Sequence, residues 1–174
     1  MPEFSSTERK VSTYAASTGF FTPPATPTDM AGLVNTTAGA VLKLVRMSIS
    51  TTQTTAGLNV FFLVKRSTQN TGAATSATIV PLDSTNLASV SGWVISYTAN
   101  PSPTGTLVGN IAIKNVLTDQ STTVVSPADV VLYDDQYEGQ PCTLRLNEGL
   151  YLNFNGAALP AGLSVCANFL FTRV

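Results

Sequence analysis

The chain contains no histidine and only two cysteines, Cys142 and Cys166, among its 174 residues. The absence of histidine excludes Ser-His-Asp and Cys-His catalytic sites and histidine-based zinc sites. Two cysteines are too few for a zinc site built from cysteines alone. We expect both to be buried thiols, and the alternative that they form a disulfide stays open. Since glycine-rich phosphate loops are also missing, we expect no enzyme and no cofactor.

Charge is scarce as well. The nine basic and ten acidic residues make up 11% of the chain and give a net charge of −1. That balance offers no basic surface for DNA or RNA. No apolar stretch approaches the length of a membrane span, and the polar first ten residues do not resemble a secretory signal. We therefore expect neither nucleic acid nor a membrane among the partners.

Hydroxyl and amide side chains take the place of charge. Ser, Thr and Asn make up about 30% of the chain, well above their usual share. Threonine is β-branched and suits a pleated surface. Low charge also reduces repulsion between copies that associate closely.

Alternation of apolar and polar residues is the main structural signal, and no segment has a convincing helical period. The pattern predicts a single all-β domain over residues 31–174, an antiparallel β-sandwich for which a jelly roll is the first choice and another Greek-key sandwich the second. The run 58–66 is apolar on both faces and should lie inside a sheet, followed by an uncharged loop over 67–78 that is available for contacts. The predicted strands lie within residues 41–50, 58–66, 76–82, 90–98, 106–116, 122–134, 142–146, 150–154 and 163–171.

The first 30 residues read as an extended, proline-rich N-terminal arm. Pro23, Pro24 and Pro27 lie within five residues of one another, and each removes a backbone donor, so this stretch cannot be a helix or a central strand. Phe20, Phe21 and Tyr14 are large aromatic residues within the arm. We expect them to lie against the chain's own domain or against a neighbouring subunit.

Two groups of residues are candidate chemical sites. Asp134, Asp135 and Glu138 lie in a tyrosine-flanked acidic segment, YDDQYEGQP. A glycosidase carboxylate pair or a calcium loop is conceivable there, but a solvated loop is favoured. Trp93 and Tyr97 could stack on a sugar, but the strand pattern places them on one face together with Ile95, which favours packing in the core.

Lys65 and Arg66 are the only adjacent basic pair within the predicted domain. They could contact a phosphate or an acidic partner. We favour a strand end that keeps both charges in water.

Several segments in a fixed order resemble a group of tailed-bacteriophage virion proteins. The resemblance covers nearly the whole chain and rests on an arm, a strand ending in VKRS, a YTANP turn and an EGL hairpin. One departure is NEG, at 147–149, where the group is expected to have PGEG, which puts the turn type in question. The matching segments are TGFFTPPATPTD (18–29), LVKRSTQNTG (63–72), VPLDS (80–84), YTANP (97–101), LVG (107–109) and LRLNEGLYLNFNG (144–156).

The resemblance implies a jelly-roll structural protein of the phage particle, with no catalytic residues to carry over. The favoured role is a capsid decoration, or cement, protein that binds the major capsid protein as a homotrimer on the capsid surface, after assembly in the host cytoplasm. The alternative is a tail-fibre, spike or head-fibre domain that binds a host-surface carbohydrate. The candidate interface residues are Tyr14, Phe20, Phe21, Lys65 and Arg66.

Overall fold

The structure is a computed structural model that describes residues 11–86, 88–118, 129–138 and 140–174. Within these ranges the chain forms twelve strands and one short helical turn. They are β1 (Ser12–Ser17), β2 (Asp29–Val34), β3 (Leu42–Thr52), β4 (Gly57–Arg66), β5 (Ala74–Ser76), β6 (Ile79–Pro81), β7 (Val94–Tyr97), β8 (Leu107–Thr118), β9 (Val130–Asp134), α1 (Asp135–Glu138), β10 (Cys142–Leu144), β11 (Gly149–Asn153) and β12 (Ser164–Arg173).

The strands form two antiparallel sheets that pack face to face. Sheet A has the order β10-β3-β12-β1-β6, and β9 also pairs with β3; sheet B has the order β5-β7-β2-β11-β4-β8. One large cluster of buried apolar residues, contributed by both sheets, lies between them. The prediction of an all-β antiparallel sandwich is therefore confirmed.

Strand pairing is nested along the chain. β1 pairs with β12, β2 with β11, β3 with β10 and β4 with β8. Successive members of this series alternate between sheet A and sheet B. The three strands between β4 and β8 add to the far edges, since β5 and β7 extend sheet B beyond β2 and β6 extends sheet A beyond β1.

The core is built mainly by period-2 alternation. The residues predicted to point inward along the last strand are all buried, namely Leu163, Val165, Ala167, Phe169 and Phe171. The Phe171 ring stacks on Tyr14 at 5.6 Å between centroids, and Trp93 meets the Tyr14 ring edge-on at 5.8 Å. Such aromatic pairs add to the stability that burial of their area provides.

β4 lies inside sheet B, between β11 and β8, as its two apolar faces predicted. β11 is buried on both faces. Its outward residue, Tyr151, lies over the backbone of β2 and β11: a Cβ atom at Gly32 or at Gly149 would come within 2.5 Å of the Tyr151 ring. Only glycine leaves room for this ring to lie flat on the sheet.

The predicted N-terminal arm over residues 1–30 is wrong for part of its length. Residues 12–17 are β1, which is hydrogen-bonded to β12 on one side and to β6 on the other. The proline cluster obscured a period-2 pattern in which Ser12, Tyr14 and Ala16 are buried. The sandwich thus begins before residue 31, while residues 1–10 of the predicted arm lie outside the described residues.

The connection from β1 to β2 contains the prolines and, as predicted, residues 22–28 form no strand. It is nonetheless fixed to the domain by backbone hydrogen bonds. Phe21 and Val165 exchange two such bonds, and the carbonyls of Ala25 and Pro27 accept from Leu159 and Gly156. The segment is therefore part of the sandwich surface.

The NEG segment is not the turn of a hairpin. It connects β10 in sheet A to β11 in sheet B, so the two strands do not pair with each other. Asn147 takes a positive φ of 67°, and the Glu148 carboxylate accepts a hydrogen bond from the Arg145 backbone N–H at 2.8 Å. Alternation on both sides of the turn was compatible with a hairpin or with a corner, because Leu144 and Leu150 both face the same core.

Two other predicted strands differ in detail. The run 76–82 forms no single strand: β5 ends at Ser76, and β6 spans Ile79–Pro81 in the other sheet. Of the run 122–134, the structure contains β9 at its end, and residues 122–128 lie outside the described residues.

Candidate functional site

The three aromatic residues of the N-terminal segment occupy different environments. Tyr14 is completely buried in the core, so its prediction as an interface residue is wrong. Phe21 is half-buried and packs against the core cluster. Phe20 is exposed and remains available for contact with another molecule.

Lys65 and Arg66 also occupy different environments. The Lys65 ammonium bridges the sheets, donating to the Thr143 carbonyl at 2.8 Å and lying 3.5 Å from a Glu148 carboxylate oxygen. Arg66 is buried and forms an ion pair with Asp29. The prediction that Arg66 keeps its charge in water is therefore wrong, as is its place among the interface residues.

Asp29 is the centre of a buried polar network. Its Oδ2 accepts from Arg66 Nε and from Asn70 Nδ2, both at 2.6 Å. Its Oδ1 accepts from Asn153 Nδ2 at 2.6 Å and from Arg66 Nη2 at 3.2 Å. Four donors thus satisfy both carboxylate oxygens, which is what a fully buried carboxylate requires.

The same network fixes two loops over the outer face of sheet B. Arg66 Nη1 donates to the Gly105 carbonyl at 2.7 Å, and the Gly105 N–H donates to Asn70 Oδ1 at 2.7 Å. The Asn70 N–H donates to the Tyr151 hydroxyl at 3.2 Å. Loops 67–73 and 98–106 are also joined directly, since Thr71 and Ser102 each donate a backbone bond to the other loop.

Two tyrosines lie under these loops. Tyr97 and Tyr151 form a small buried cluster with Val34 on the outer face of sheet B. Burial raises the pKa of Tyr97 and the pKa of Tyr151 above the usual tyrosine value. Both hydroxyls therefore stay neutral and act as hydrogen-bond partners of each other and of Asn70.

Segments that carry the phage-protein resemblance meet in this network. PTD supplies Asp29, VKRSTQN supplies Arg66 and Asn70, YTANP supplies Tyr97, and LYLNFNG supplies Asn153 and Tyr151. Every polar group named around Asp29 has a partner within the chain, and Asp29 itself is fully buried, whereas Asn70 is half-buried. The network therefore stabilises the two loops, and its hydrogen-bonding groups named here are already used within the chain.

The acidic segment is organised by Tyr133. Its hydroxyl donates to the Gln140 carbonyl at 2.7 Å and accepts from the Cys142 N–H at 2.8 Å, which closes the loop around α1. Asp134 Oδ1 accepts from the Gln136 N–H at 3.1 Å. The side chains of Tyr137 and Glu138 lie outside the described residues, and among the described ones no three potential metal ligands come together.

Trp93 and Tyr97 do not form a sugar-stacking platform on the surface of the domain. Trp93 and Tyr97 are both buried, as favoured from the sequence, and the Trp93 Nε1–H donates to Thr37 Oγ1 at 3.1 Å. The prediction that Trp93 shares a face with Tyr97 is wrong, because Trp93 belongs to the central core and Tyr97 to the outer cluster. Rings in these positions cannot stack on a carbohydrate.

Both cysteines are free thiols, as expected. Cys166 is buried beside the Ser17 hydroxyl at 3.2 Å. Cys142 is only half-buried, and burial raises the pKa of its thiol.

Exposed apolar side chains concentrate at one end of sheet B. Of the twelve large apolar side chains that are exposed in the described part of the chain, seven belong to β4 and β8. Leu58 lies opposite Leu117, and Phe62 lies opposite Ile113, so these residues share the outer face. We call Leu58, Val60, Ile113 and Leu117 the face strip; Leu58 is 63% exposed and Leu117 72% exposed.

β8 is an edge strand that is protected against pairing with further strands. Its first half contains two bulges, since Ile111 and Val108 have no partner on β4. In its second half Lys114 lies opposite the core residue Phe61 and so is on the inward side of the sheet. Bulges and inward-facing charges are both devices that prevent edge-to-edge association.

A groove of about 370 Å³ lies at the same edge, between the two sheets. We call it the edge groove. Ile111 and Lys65 contribute from sheet B, and Tyr133, Pro141 and Cys142 contribute from the side of sheet A. Ile111 is two residues from Ile113, so the edge groove and the face strip adjoin along β8.

A second groove, of about 660 Å³, crosses the outer face of sheet A. Its lining consists mostly of small or uncharged residues such as Ala15, Ser48 and Asn168. Arg46 and Asp129 lie at one end, 3.8 Å apart and both about half exposed. No cluster of aromatic or acidic side chains marks it for a ligand within the described residues.

Sequence reasoning missed Asp29 and the face strip. Asp29 was hidden at the end of the proline segment, and only its contact with Arg66 reveals its role. The face strip did carry a signal: the run 58–66 is apolar on both faces, and β8 alternates apolar residues on the same side.

Comparison with protein-family models, with curated proteins and with solved structures finds no match for this chain. Among the described residues, no helix is long and apolar enough to cross a membrane.

Proposed function

We propose that this chain is a structural protein of a tailed-bacteriophage particle, built as a jelly roll. A jelly roll arises when a long antiparallel ribbon folds over on itself, which gives nested strand pairs that alternate between two sheets. The pairs β1/β12, β2/β11, β3/β10 and β4/β8 have this order. β5, β6 and β7 are then an insertion that widens both sheets at the opposite end.

Within that class we propose a capsid decoration protein that binds the major capsid protein as a homotrimer on the capsid surface. The observation that carries the proposal is the face strip. Four large apolar side chains lie exposed beside one another on this sheet face, and such clusters, unlike single exposed apolar residues, are typical of surfaces that bind another protein. A passive contact role needs such a surface and needs no cofactor or catalytic group.

The placement of the phage-like segments supports the same role. They specify a closed network around Asp29 and Arg66 that holds loops rigidly on the sheet. A protein that staples a lattice benefits from a stiff body, because rigid surfaces lose little conformational entropy on binding. Many weak contacts on a repeating lattice then add up through multivalency.

The test is co-sedimentation of the purified chain with phage heads assembled without it. We expect binding at a ratio close to one trimer per repeating lattice position, which means hundreds of copies per head. The substitution Ile113→Asp should weaken binding or assembly, and Val80→Asp is the matched control, because both side chains are a little over half exposed and lie on strands at opposite ends of the sandwich. Failure of the wild-type chain to bind any head would contradict the decoration role, and a handful of copies per particle would favour a tail or head-fibre component.

A further inference from the structure

Asn155 and Gly156 form the only Asn-Gly dipeptide of the sequence, and both residues are exposed. Such a pair is chemically labile, because glycine has no side chain to shield its backbone nitrogen from the preceding carboxamide. In the reaction the Gly156 nitrogen bonds to the Asn155 Cγ, the bond from Cγ to Nδ2 breaks, and ammonia leaves with the proton that the Gly156 nitrogen has lost. Water then opens the five-membered imide at one of its two carbonyls, which leaves aspartate or isoaspartate at position 155.

The folded chain holds this pair in a conformation that does not allow the reaction. Asn155 and Gly156 are the central residues of a turn, and their φ angles are 56° and 70°. The turn is closed by the Ala157 N–H, which donates to the Phe154 carbonyl at 3.2 Å. A residue in this left-handed region holds the next backbone nitrogen opposite to its own Cβ, whereas closure of the imide needs the two eclipsed. The turn must therefore open before the Gly156 nitrogen can attack.

Hydrogen bonds to neighbouring segments keep the turn closed. The Gly156 N–H, which has to lose its proton in the reaction, donates to the Pro27 carbonyl at 2.9 Å. The Asn155 N–H donates to Asn153 Oδ1 at 2.6 Å, and Asn153 Nδ2 in turn donates to the buried Asp29. The first bond must break before the Gly156 nitrogen can react, as it must for hydrogen exchange at a protected amide. The second bond holds Asn155 in its left-handed conformation.

Asn100 holds the backbone on both sides of Pro27. Its Oδ1 accepts from the Thr28 N–H at 3.1 Å, and its Nδ2 donates to the Thr26 carbonyl at 3.0 Å. These two bonds fix the position of the Pro27 carbonyl, which is the group that accepts from the Gly156 N–H. The Asn100 side chain is itself exposed, so it can be changed without opening the core.

We propose that Asn155 is a deamidation site that the fold keeps closed and that opens when the proline-rich segment over residues 22–28 detaches. The isoaspartate product adds a methylene to the main chain and one negative charge to the surface. A backbone lengthened in this way cannot form the same turn, so the bond to the Pro27 carbonyl is lost and the detachment becomes permanent. This modification is independent of the proposed function, because it needs only the isolated chain.

The experiment follows the formation of aspartate and isoaspartate at position 155 by peptide mapping and mass spectrometry in mildly alkaline buffer. The folded wild-type chain should react about tenfold more slowly, or slower still, than the same chain unfolded in urea, because only its open conformations react. Asn100→Ala should raise the rate of the folded chain about two- to tenfold, since it removes two hydrogen bonds that hold the proline-rich segment. Asn100→Asp keeps the acceptor for the Thr28 N–H and loses the donor to Thr26, so its rate should be intermediate.

Asn86→Ala is the matched control, because Asn86 Nδ2 also donates to a backbone carbonyl, at 2.9 Å, but that carbonyl belongs to Thr13 on β1. It should leave the rate at position 155 unchanged. Fluorescence of the buried Trp93 shows whether each variant stays folded. Equal rates in the folded and the urea-unfolded wild type would overturn the inference, and so would folded Asn100→Ala and Asn86→Ala variants that react at the same rate.

Discussion

The two halves of the outer face of sheet B differ in what covers them. Over β2, β7 and β11, loops 67–73 and 98–106 bury Tyr97 and Tyr151. Over β4 and β8, no described segment covers the face strip. In the first half, loops of the chain itself cover the sheet, and a buried polar network holds these loops in place. In the second half the apolar side chains are exposed, and there we propose that another molecule binds.

The covered half depends on one ion pair, and its loss is the largest effect we expect. Asp29→Ala leaves the buried Arg66 guanidinium without its partner and should destabilise the fold by about 3–5 kcal/mol. Denaturant unfolding measures the change. Asp129→Ala is the control, because it removes the exposed ion pair with Arg46 and should lower the free energy of unfolding by only ~0–1 kcal/mol. Equal losses in the two variants would show that Asp29 does not hold the loops.

The Tyr151 hydroxyl belongs to the same network, because it accepts a hydrogen bond from the Asn70 N–H. Tyr151→Phe leaves the Asn70 N–H and the Tyr97 hydroxyl without this partner and should reduce the free energy of unfolding by about 1–3 kcal/mol. Amide hydrogen exchange should accelerate most in loop 67–73. An unchanged exchange rate there would mean that this hydroxyl does not hold the loop.

Alkaline pH should weaken the covered half through the same tyrosines. Folding raises the pKa of Tyr97 and Tyr151, so the folded state keeps their protons where the unfolded chain, with a tyrosine pKa of about 10, releases them. Their stabilising contribution is complete below that pH and is lost as pH rises above it. The free energy of unfolding should fall above this pH in the wild type, and less steeply in Tyr97→Phe. Equal slopes would contradict the burial of Tyr97.

Changes in the bare half should have the smallest effect on folding. Leu58→Asp in dilute, monomeric protein should alter the free energy of unfolding by no more than about 0.5 kcal/mol, because the Leu58 side chain is mostly exposed. Thermal and denaturant unfolding at low protein concentration measure this. A loss of several kcal/mol would mean that the chain itself covers Leu58.

Local pattern predicted most of the sandwich. The inward residues of β12 and the interior position of β4 followed from periodicity alone, because in a strand the side-chain direction is fixed by position. Residues 12–17 have the same alternation of buried and exposed side chains. The prolines that follow them favour an extended arm, and this local signal outweighs the alternation in the sequence.

Contacts between distant residues could not be predicted. Asp29 and Arg66 are 37 positions apart, and Asn153 reaches Asp29 across 124 positions. A basic pair at a strand end is usually solvated, so nothing local distinguished Lys65 from Arg66. The connection between the two sheets at Asn147 could not be predicted either, because β11 joins sheet B by pairing with β2 and β4, which are distant in the sequence.

The most direct test of the central claim is an electron-microscopy map of the intact particle at side-chain resolution. It should place the face strip, Leu58, Val60, Ile113 and Leu117, in contact with another protein chain, and loops 67–73 and 98–106 in the position they have in the isolated domain. A map in which the face strip of every copy faces solvent would contradict the account.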